Sequence, residues 1–150
     1  MNNLNIPFQA IDWTIVPKTE HKGVTGVAFW QTIQLPGLRI RIVEYSKGYL
    51  ADHWCEKGHI VHCLEGEFVS ELKDGSKSIL TKGMTYVVSD ELSSHRSSTE
   101  NGVKLVIIDG DFLKFKTEEG FCTKSRIPKQ KTLVLLTQGF YFVARARIEC

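Results

Sequence analysis

Four of the histidine and cysteine side chains are candidates to bind one transition metal, and three of these candidates lie in one short stretch. His53, Cys55 and His59 fall within GYLADHWCEKGHIVHCLEGE, and His95 follows later in SDELSSHRSS. Imidazole and thiolate donors suit zinc, iron, nickel or copper, and they suit magnesium or calcium poorly. If these four side chains lie close together in the fold, their donor atoms favour a divalent transition metal.

Strand parity predicts which of these side chains share a face. Successive side chains of a β-strand point to opposite faces, so His53 and Cys55 lie on one face. After a turn, His59 opens a second predicted strand over residues 59–64. A hairpin of this shape aims His53, Cys55 and His59 into one interior, whereas His62 points to the other side. Spacing alone leaves two alternatives open, namely metal ligands and ordinary hydrogen-bonded strand side chains.

The elements that must position these residues are short strands. Stretches of high β-propensity recur at residues 24–34, 38–45, 59–64, 68–72, 78–81, 85–89 and 103–109. Turn signals separate them, including Lys73-Asp74-Gly75-Ser76 and Glu100-Asn101-Gly102. Many short strands at close spacing are typical of an all-β sandwich or barrel.

The strand LRIRIVEY, residues 38–45, has two distinct faces. Arg39, Arg41, Val43 and Tyr45 lie on one, and Leu38, Ile40 and Ile42 on the other. If the arginine face is interior, its guanidinium groups could clamp a substrate carboxylate or phosphate. The outer-face alternative is favoured, because an outward apolar face would need cover from a second sheet or subunit. Arg41 and Tyr45 are the substrate-binding candidates.

Length and charge limit the function classes. A chain of 150 residues suits one domain, and a formal net charge of +2 favours neither a nucleic-acid nor a membrane partner. The start, MNNLNIPFQAIDW, does not resemble a secretory signal. We therefore expect a cytoplasmic protein whose cysteines are thiols or ligands.

The last 37 residues differ from the rest, since residues 114–150 carry a formal charge of +5 and residues 1–113 carry −3. We expect 114–150 to be a basic C-terminal extension. It would either pack on the main domain or on a second subunit, or be poorly ordered.

The stretch from Gly48 to Gly66 resembles the first sequence motif of the cupin superfamily. That motif has a Gly, a spacer, His-x-His, a Glu and a second Gly. In this sequence His53 and Cys55 stand at the two histidine positions, and His59 stands where the Glu is expected. The second cupin motif is followed loosely, ending at His95.

The order Asp-His-Trp-Cys at residues 52–55 is also similar to the DHCW-type motif of small single-domain bacterial cupins. The resemblance implies a cupin-type double-stranded β-helix, or jelly-roll barrel, over residues 1–113. It implies a metal bound by His53, Cys55, His59 and His95. A thiolate in this set is a softer donor than a carboxylate, which favours zinc or iron, with nickel or copper as alternatives. A three-histidine site with Cys55 free beside the metal is a further alternative.

Two functions follow from the resemblance. One is an enzyme that acts on a small molecule through its metal, with oxygenase or isomerase and lyase chemistry as the candidate classes. The other is a non-catalytic binding or sensing protein, in which four protein ligands close a structural metal site. A homodimer is expected by analogy with other small barrels.

Overall fold

The computed structural model describes residues 5–114, which form eight β-strands and one short 3₁₀ helix. The strands are β1 (Lys18–Lys22), β2 (Val27–Leu35), β3 (Leu38–Tyr45), β4 (His59–Leu72), β5 (Lys77–Thr81), β6 (Thr85–Val88), β7 (His95–Ser98) and β8 (Val103–Gly110), and the 3₁₀ helix is Asp111–Leu113. No helix of this part of the chain is long and apolar enough to cross a membrane. The predictions made for the C-terminal extension beyond Lys114 concern residues outside the described range.

All strand pairings are antiparallel, and the main path of neighbours is β1-β2-β3-β8-β4-β5. The longest strand, β4, takes part in two sheets. Its first part pairs with β8 and β6, and its last part pairs with β5 and β7. This arrangement confirms the predicted all-β jelly-roll class.

The arginine face of β3 is the interior face. Arg41, Val43 and Tyr45 are buried and lie directly opposite Ile107, Leu105 and Val103 of β8. The outer-face alternative favoured by the sequence was therefore wrong. The N-terminal segment lies beside the outer face, since Gln31, the β2 neighbour of Ile42, donates hydrogen bonds to the carbonyl oxygens of Trp13 and Val16 at 2.6 and 2.7 Å.

A β-bulge switches the interior face halfway along β4. His59, Val61 and Cys63 point inward in the first part, and Phe68 and Ser70 point inward in the second. The register shifts between Cys63 and Glu65, so one extra residue reverses the alternation. The bulge lets one strand serve both sheets. The sequence suggested two strands with a break at this place, since it does not reveal that pairing continues through the bulge.

The sequence missed two strands. β1 is a fully exposed edge strand of charged and polar residues, and none of the predicted strands covers it. β7 has the sequence HRSS, which carries no β-propensity signal of its own. Both exist because a neighbouring strand, β2 or β4, offers them a backbone partner.

Gly66 lies at the bulge and has a φ of +81°, so we expect its substitution to lower the stability of the fold. A Cβ at this position would lie 2.4 Å from the carbonyl oxygen of Gly102, so Gly66→Ala adds a backbone clash to the cost of a left-handed conformation. We expect it to lower the free energy of unfolding by about 3 kcal/mol, measured by urea denaturation.

Gly75 is a matched control, because its φ is +85° and a Cβ there meets no atom within 4 Å. Gly75→Ala should cost only the conformational part, about 1 kcal/mol. Equal losses for the two variants would show that the close approach at the bulge does not matter.

Candidate metal centre and its cavity

Backbone pairing brings Cys55 next to His95. Cys55 lies in the connection between β3 and β4, and its N–H donates to the His95 carbonyl oxygen at 2.8 Å. The His95 N–H donates back to the Cys55 carbonyl oxygen at 2.9 Å, which closes an isolated antiparallel bridge. His59 and His95 are the first residues of β4 and β7. Each of the three side chains is thus carried by paired backbone rather than by a free loop.

Cys55, His59 and His95 converge, since one potential ligand atom from each lies within 4.8 Å of the other two. The Cys55 Sγ is 3.2 Å from the His59 Nε2. Both histidines are buried, whereas Cys55 is half-buried. The His95 Nδ1 lies 3.1 Å from the Ser93 carbonyl oxygen, to which it must donate, and the Nε2 of His95 is therefore the atom with a lone pair for a ligand.

His53 stands apart from this group of three. Its Nδ1 is 2.6 Å from the Asp52 carboxylate, and its side chain is 67% exposed. It nevertheless lines the same cavity as the other three predicted ligands. The structure thus brings together three of the four residues that the sequence proposed, with His53 at the more exposed end of the cavity.

Asp109 connects the metal-ligand candidates to the two arginines of β3. Its carboxylate accepts hydrogen bonds from Arg39 Nε at 2.9 Å and from a terminal nitrogen of Arg41 at 2.6 Å. The Nδ1 of His59 lies 3.5 Å from the same carboxylate oxygen that Arg41 contacts. A carboxylate behind an imidazole orients the ring, which leaves Nε2 of His59 facing Cys55.

The charges of this group shift its pKa values in directions that favour a thiolate beside an imidazolium. Burial opposes ionisation of Asp109, but His59 and both arginines hold its pKa far below the usual range. Burial likewise acts against His59, yet the nearby Asp109 carboxylate and the hydrogen bond with Cys55 raise its pKa. Burial alone would raise the pKa of the Cys55 thiol. The hydrogen bond and the charge of His59 outweigh the effect of burial, so the pKa of Cys55 is lowered.

A cavity of about 220 Å³ lies in front of these side chains. Aromatic and aliphatic residues form much of its wall, including Trp30, Tyr45, Tyr49, Phe68, Tyr86 and Ile107. Arg41 and Tyr45, the substrate-binding candidates, both line it. Burial raises the pKa of the Tyr45 and Tyr86 phenols far above the neutral range, so both stay protonated hydrogen-bond donors. The volume is small compared with a typical ligand pocket, which limits the ligand to a small molecule.

Asp109 is the main functional residue that the sequence reasoning missed. Asp109-Gly110-Asp111 suggested only the end of a strand and a turn. Alternation along β8 puts Val103, Leu105, Ile107 and Asp109 on one buried face, and that pattern contained the signal. A carboxylate at the end of an otherwise apolar strand face needs a buried partner, which β3 supplies.

Comparison with solved structures identifies the architecture. The chain is similar to an RmlC-like cupin from Shewanella frigidimarina, with 18% identity, a TM-score of 0.57, and coverage of 69% of this chain and 91% of the other. It is equally similar to ectoine synthase from P. lautus, with 18% identity, a TM-score of 0.57, and coverage of 69% and 78%. A cupin-like protein from Thermotoga maritima shares 16% identity at a TM-score of 0.51, with coverage of 57% and 70%.

The sequence matches no protein-family model and no curated protein. The similarity to the DHCW-type group stays a prediction. At these identities the likeness shows the fold alone, and the jelly-roll topology derived above agrees with it. The chain has the fold of the cupin superfamily.

Proposed function

We propose that this protein is a metal-dependent cupin that acts on a small molecule, with Cys55, His59 and His95 as its metal ligands. The supporting observation is the convergence of three donor atoms within 4.8 Å at the wall of a cavity. Ligand atoms around tetrahedral zinc are about 3.3–3.6 Å apart, given bond lengths of about 2.0–2.3 Å. Side-chain adjustments of about 1 Å would therefore complete the site.

The ligand count supports the catalytic alternative. Three protein ligands leave a position for water or substrate, whereas four close the site. His53 would have to leave Asp52 and swing inward to become the fourth. One thiolate and two imidazoles suit zinc or iron best. Zinc would support isomerase or lyase chemistry, and iron would support oxygenase chemistry.

The protein's own groups then have definable roles. Asp109 orients His59, and the Ser93 carbonyl oxygen fixes the tautomer of His95. The protonated phenols of Tyr45 and Tyr86 lie on the cavity wall, where they can donate hydrogen bonds to a bound oxygen. The aromatic wall makes this part of the cavity less polar than bulk water, which would strengthen each of these polar contacts.

The ligand set can be tested by zinc binding under reducing conditions. Cys55→Ser and His95→Ala should each lower the zinc affinity at least about 100-fold, because each removes a direct ligand. His53→Ala serves as the comparison variant and should bind zinc within about threefold of the wild type. A loss in His53→Ala as large as in Cys55→Ser would instead support the closed, four-ligand structural site.

The role of Asp109 can be tested separately with Asp109→Asn. Loss of the carboxylate behind a histidine ligand should weaken zinc binding about 10-fold or more, measured by competition with a chelating dye. Asp111→Asn is the control, since Asp111 is exposed and pairs with Lys114. If Asp109→Asn binds zinc as tightly as Asp111→Asn does, the orienting role is wrong.

One observation favours a second function. Cys55, His59 and Asp109 follow one another in the order of a nucleophile, a base and an orienting carboxylate, with separations of 3.2 and 3.5 Å. In this arrangement His59 would take the thiol proton, and the thiolate would add to a carbonyl carbon of the substrate without a metal. The C=O π pair would move to the oxygen, and His59 would return the proton to it.

Alkylation of Cys55 distinguishes the two functions. Zinc should slow the reaction of Cys55 with iodoacetamide at least about 10-fold in the wild type, followed by peptide mass spectrometry, because a bound thiolate is a poor nucleophile. His95 belongs to the metal group but not to the thiol arrangement. The protection should therefore vanish in His95→Ala, while reactivity without zinc persists. Failure of zinc to protect Cys55 in the wild type would favour the thiol function.

A further inference from the structure

In the described part of the chain, the arginine and lysine side chains on the cavity wall have no carboxylate among them. Arg39, Arg41 and Lys57 line the cavity, and no Asp or Glu does so among the described residues. Asp109 lies behind the wall and pairs with both arginines, and Lys57 pairs with Asp90. Arg39, Arg41 and Asp109 together therefore keep a formal net charge of +1 beside the cavity. A cavity lined in this way attracts an anion and repels a cation.

Arg41 is the most constrained of these cations. Its side chain is 6% exposed, and its guanidinium lies over the Trp30 ring with the Cζ 4.8 Å from the ring centroid. Burial lowers the pKa of Arg41, and the charge of Arg39 adds to that effect. A buried cation beside a second cation is costly unless anions compensate both. The single Asp109 carboxylate compensates only one.

Three buried nitrogen atoms of cavity-lining residues lack a hydrogen-bond partner among the described residues. They are Arg41 Nε, Trp30 Nε1 and His59 Nδ1. Each of these atoms is itself covered by neighbouring protein atoms. Buried donors are nearly always hydrogen-bonded in folded proteins, so small side-chain movements that bring the Arg41 and Trp30 N–H groups to an acceptor in the cavity would be favoured.

We propose that this end of the cavity binds the carboxylate of a small organic acid, with Arg39 and Arg41 as the recognition residues. The formal net charge of +1 on Arg39, Arg41 and Asp109 matches a monoanion. Planar guanidinium groups pair with carboxylates through two parallel hydrogen bonds. The apolar wall of Phe68, Tyr86 and Ile107 suits a hydrocarbon body. A phosphate dianion would leave a negative charge uncompensated in the same apolar surroundings.

This inference deepens the proposed function and rests on it for the location of the reacting part of the substrate. Arg41 and His59 both lie within 3.5 Å of one oxygen of Asp109, so the arginines and the metal-ligand candidates are close neighbours. A molecule of a few atoms that pairs with the arginines therefore reaches the cluster of Cys55, His59 and His95. Carboxylate recognition would hold the substrate while its adjacent carbon atoms face the metal position.

The test uses the full chain in metal-free buffer with a chelator, so that it does not depend on the metal proposal. Benzoate is the anionic probe, benzamide is its neutral counterpart, and inorganic phosphate is the dianion. We expect saturable binding of benzoate by calorimetry, at least 10-fold tighter than binding of benzamide or phosphate. The indole N–H resonance of Trp30 should shift on benzoate addition, whereas that of Trp54, which stacks on Arg96 and does not line the cavity, should not.

Arg39→Gln is the decisive variant, because Asp109 keeps Arg41 as a partner and the Arg39 side chain is already 35% exposed. It should weaken benzoate binding at least 10-fold while the protein stays folded. Arg96→Gln is a matched control, since Arg96 makes a similar pair with Glu71 and does not line the cavity. Its benzoate affinity should equal that of the wild type.

Three results would overturn the carboxylate site. They are equal binding of benzoate and benzamide, tighter binding of phosphate, and equal affinity of Arg39→Gln and Arg96→Gln for benzoate. His95→Ala separates the two proposals. It should lose zinc and still bind benzoate in metal-free buffer, so that failure of either proposal is visible without the other.

Discussion

The candidate site depends on one buried carboxylate, Asp109, and on the three positive or titratable groups that surround it. Arg39 and Arg41 reach it from β3, and His59 reaches it from the start of β4. Charges buried this deeply are stable only in compensating sets. The carboxylate therefore determines where the arginines lie and which way the imidazole of His59 turns. Asp109 lies at the end of β8, which pairs with β3 on one side and β4 on the other, so its carboxylate is close to side chains of both strands.

The backbone supports this arrangement at two places. The bulge after Cys63 keeps His59 and Phe68 on the interior side although they are an odd number of residues apart. The bridge between Cys55 and His95 ties a strand connection to β7. Together they place a thiol and two imidazoles on one cavity wall, held by hydrogen bonds of the main chain. Precise placement of this kind is what a metal centre requires of its protein.

Much of the fold could be predicted from the sequence, because the signals were local. The alternation in LRIRIVEY predicted β3 with its exact bounds, and Asp74-Gly75 marked the hairpin between β4 and β5. Strands β1 and β7 could not be predicted, since they owe their existence to distant partners. The orientation of β3 was also beyond the sequence, because it depends on a contact with the distant Asp109 of β8. Burying arginines is costly in isolation, and the pairing of Arg39 and Arg41 with Asp109 offsets that cost.

For the site, residue types and parity selected Cys55 and His59, and the resemblance to cupins supplied His95. The sequence could not show that His53 lies apart from these residues, since the alternation of side chains along a strand places it on the same face as Cys55. Its different position follows from the connection before β4, where it pairs with Asp52 and remains exposed. Asp109 was missed because a carboxylate at the end of a strand resembles a turn residue until its partners are known.

The X-ray absorption spectrum of the zinc-loaded protein shows whether Cys55, His59 and His95 bind a metal in the cavity. We expect one sulfur at about 2.3 Å and a shell of nitrogen or oxygen neighbours at about 2.0–2.1 Å, with multiple-scattering features of imidazole. A zinc shell without sulfur, or one with two or more sulfurs, would contradict the assignment of Cys55, His59 and His95.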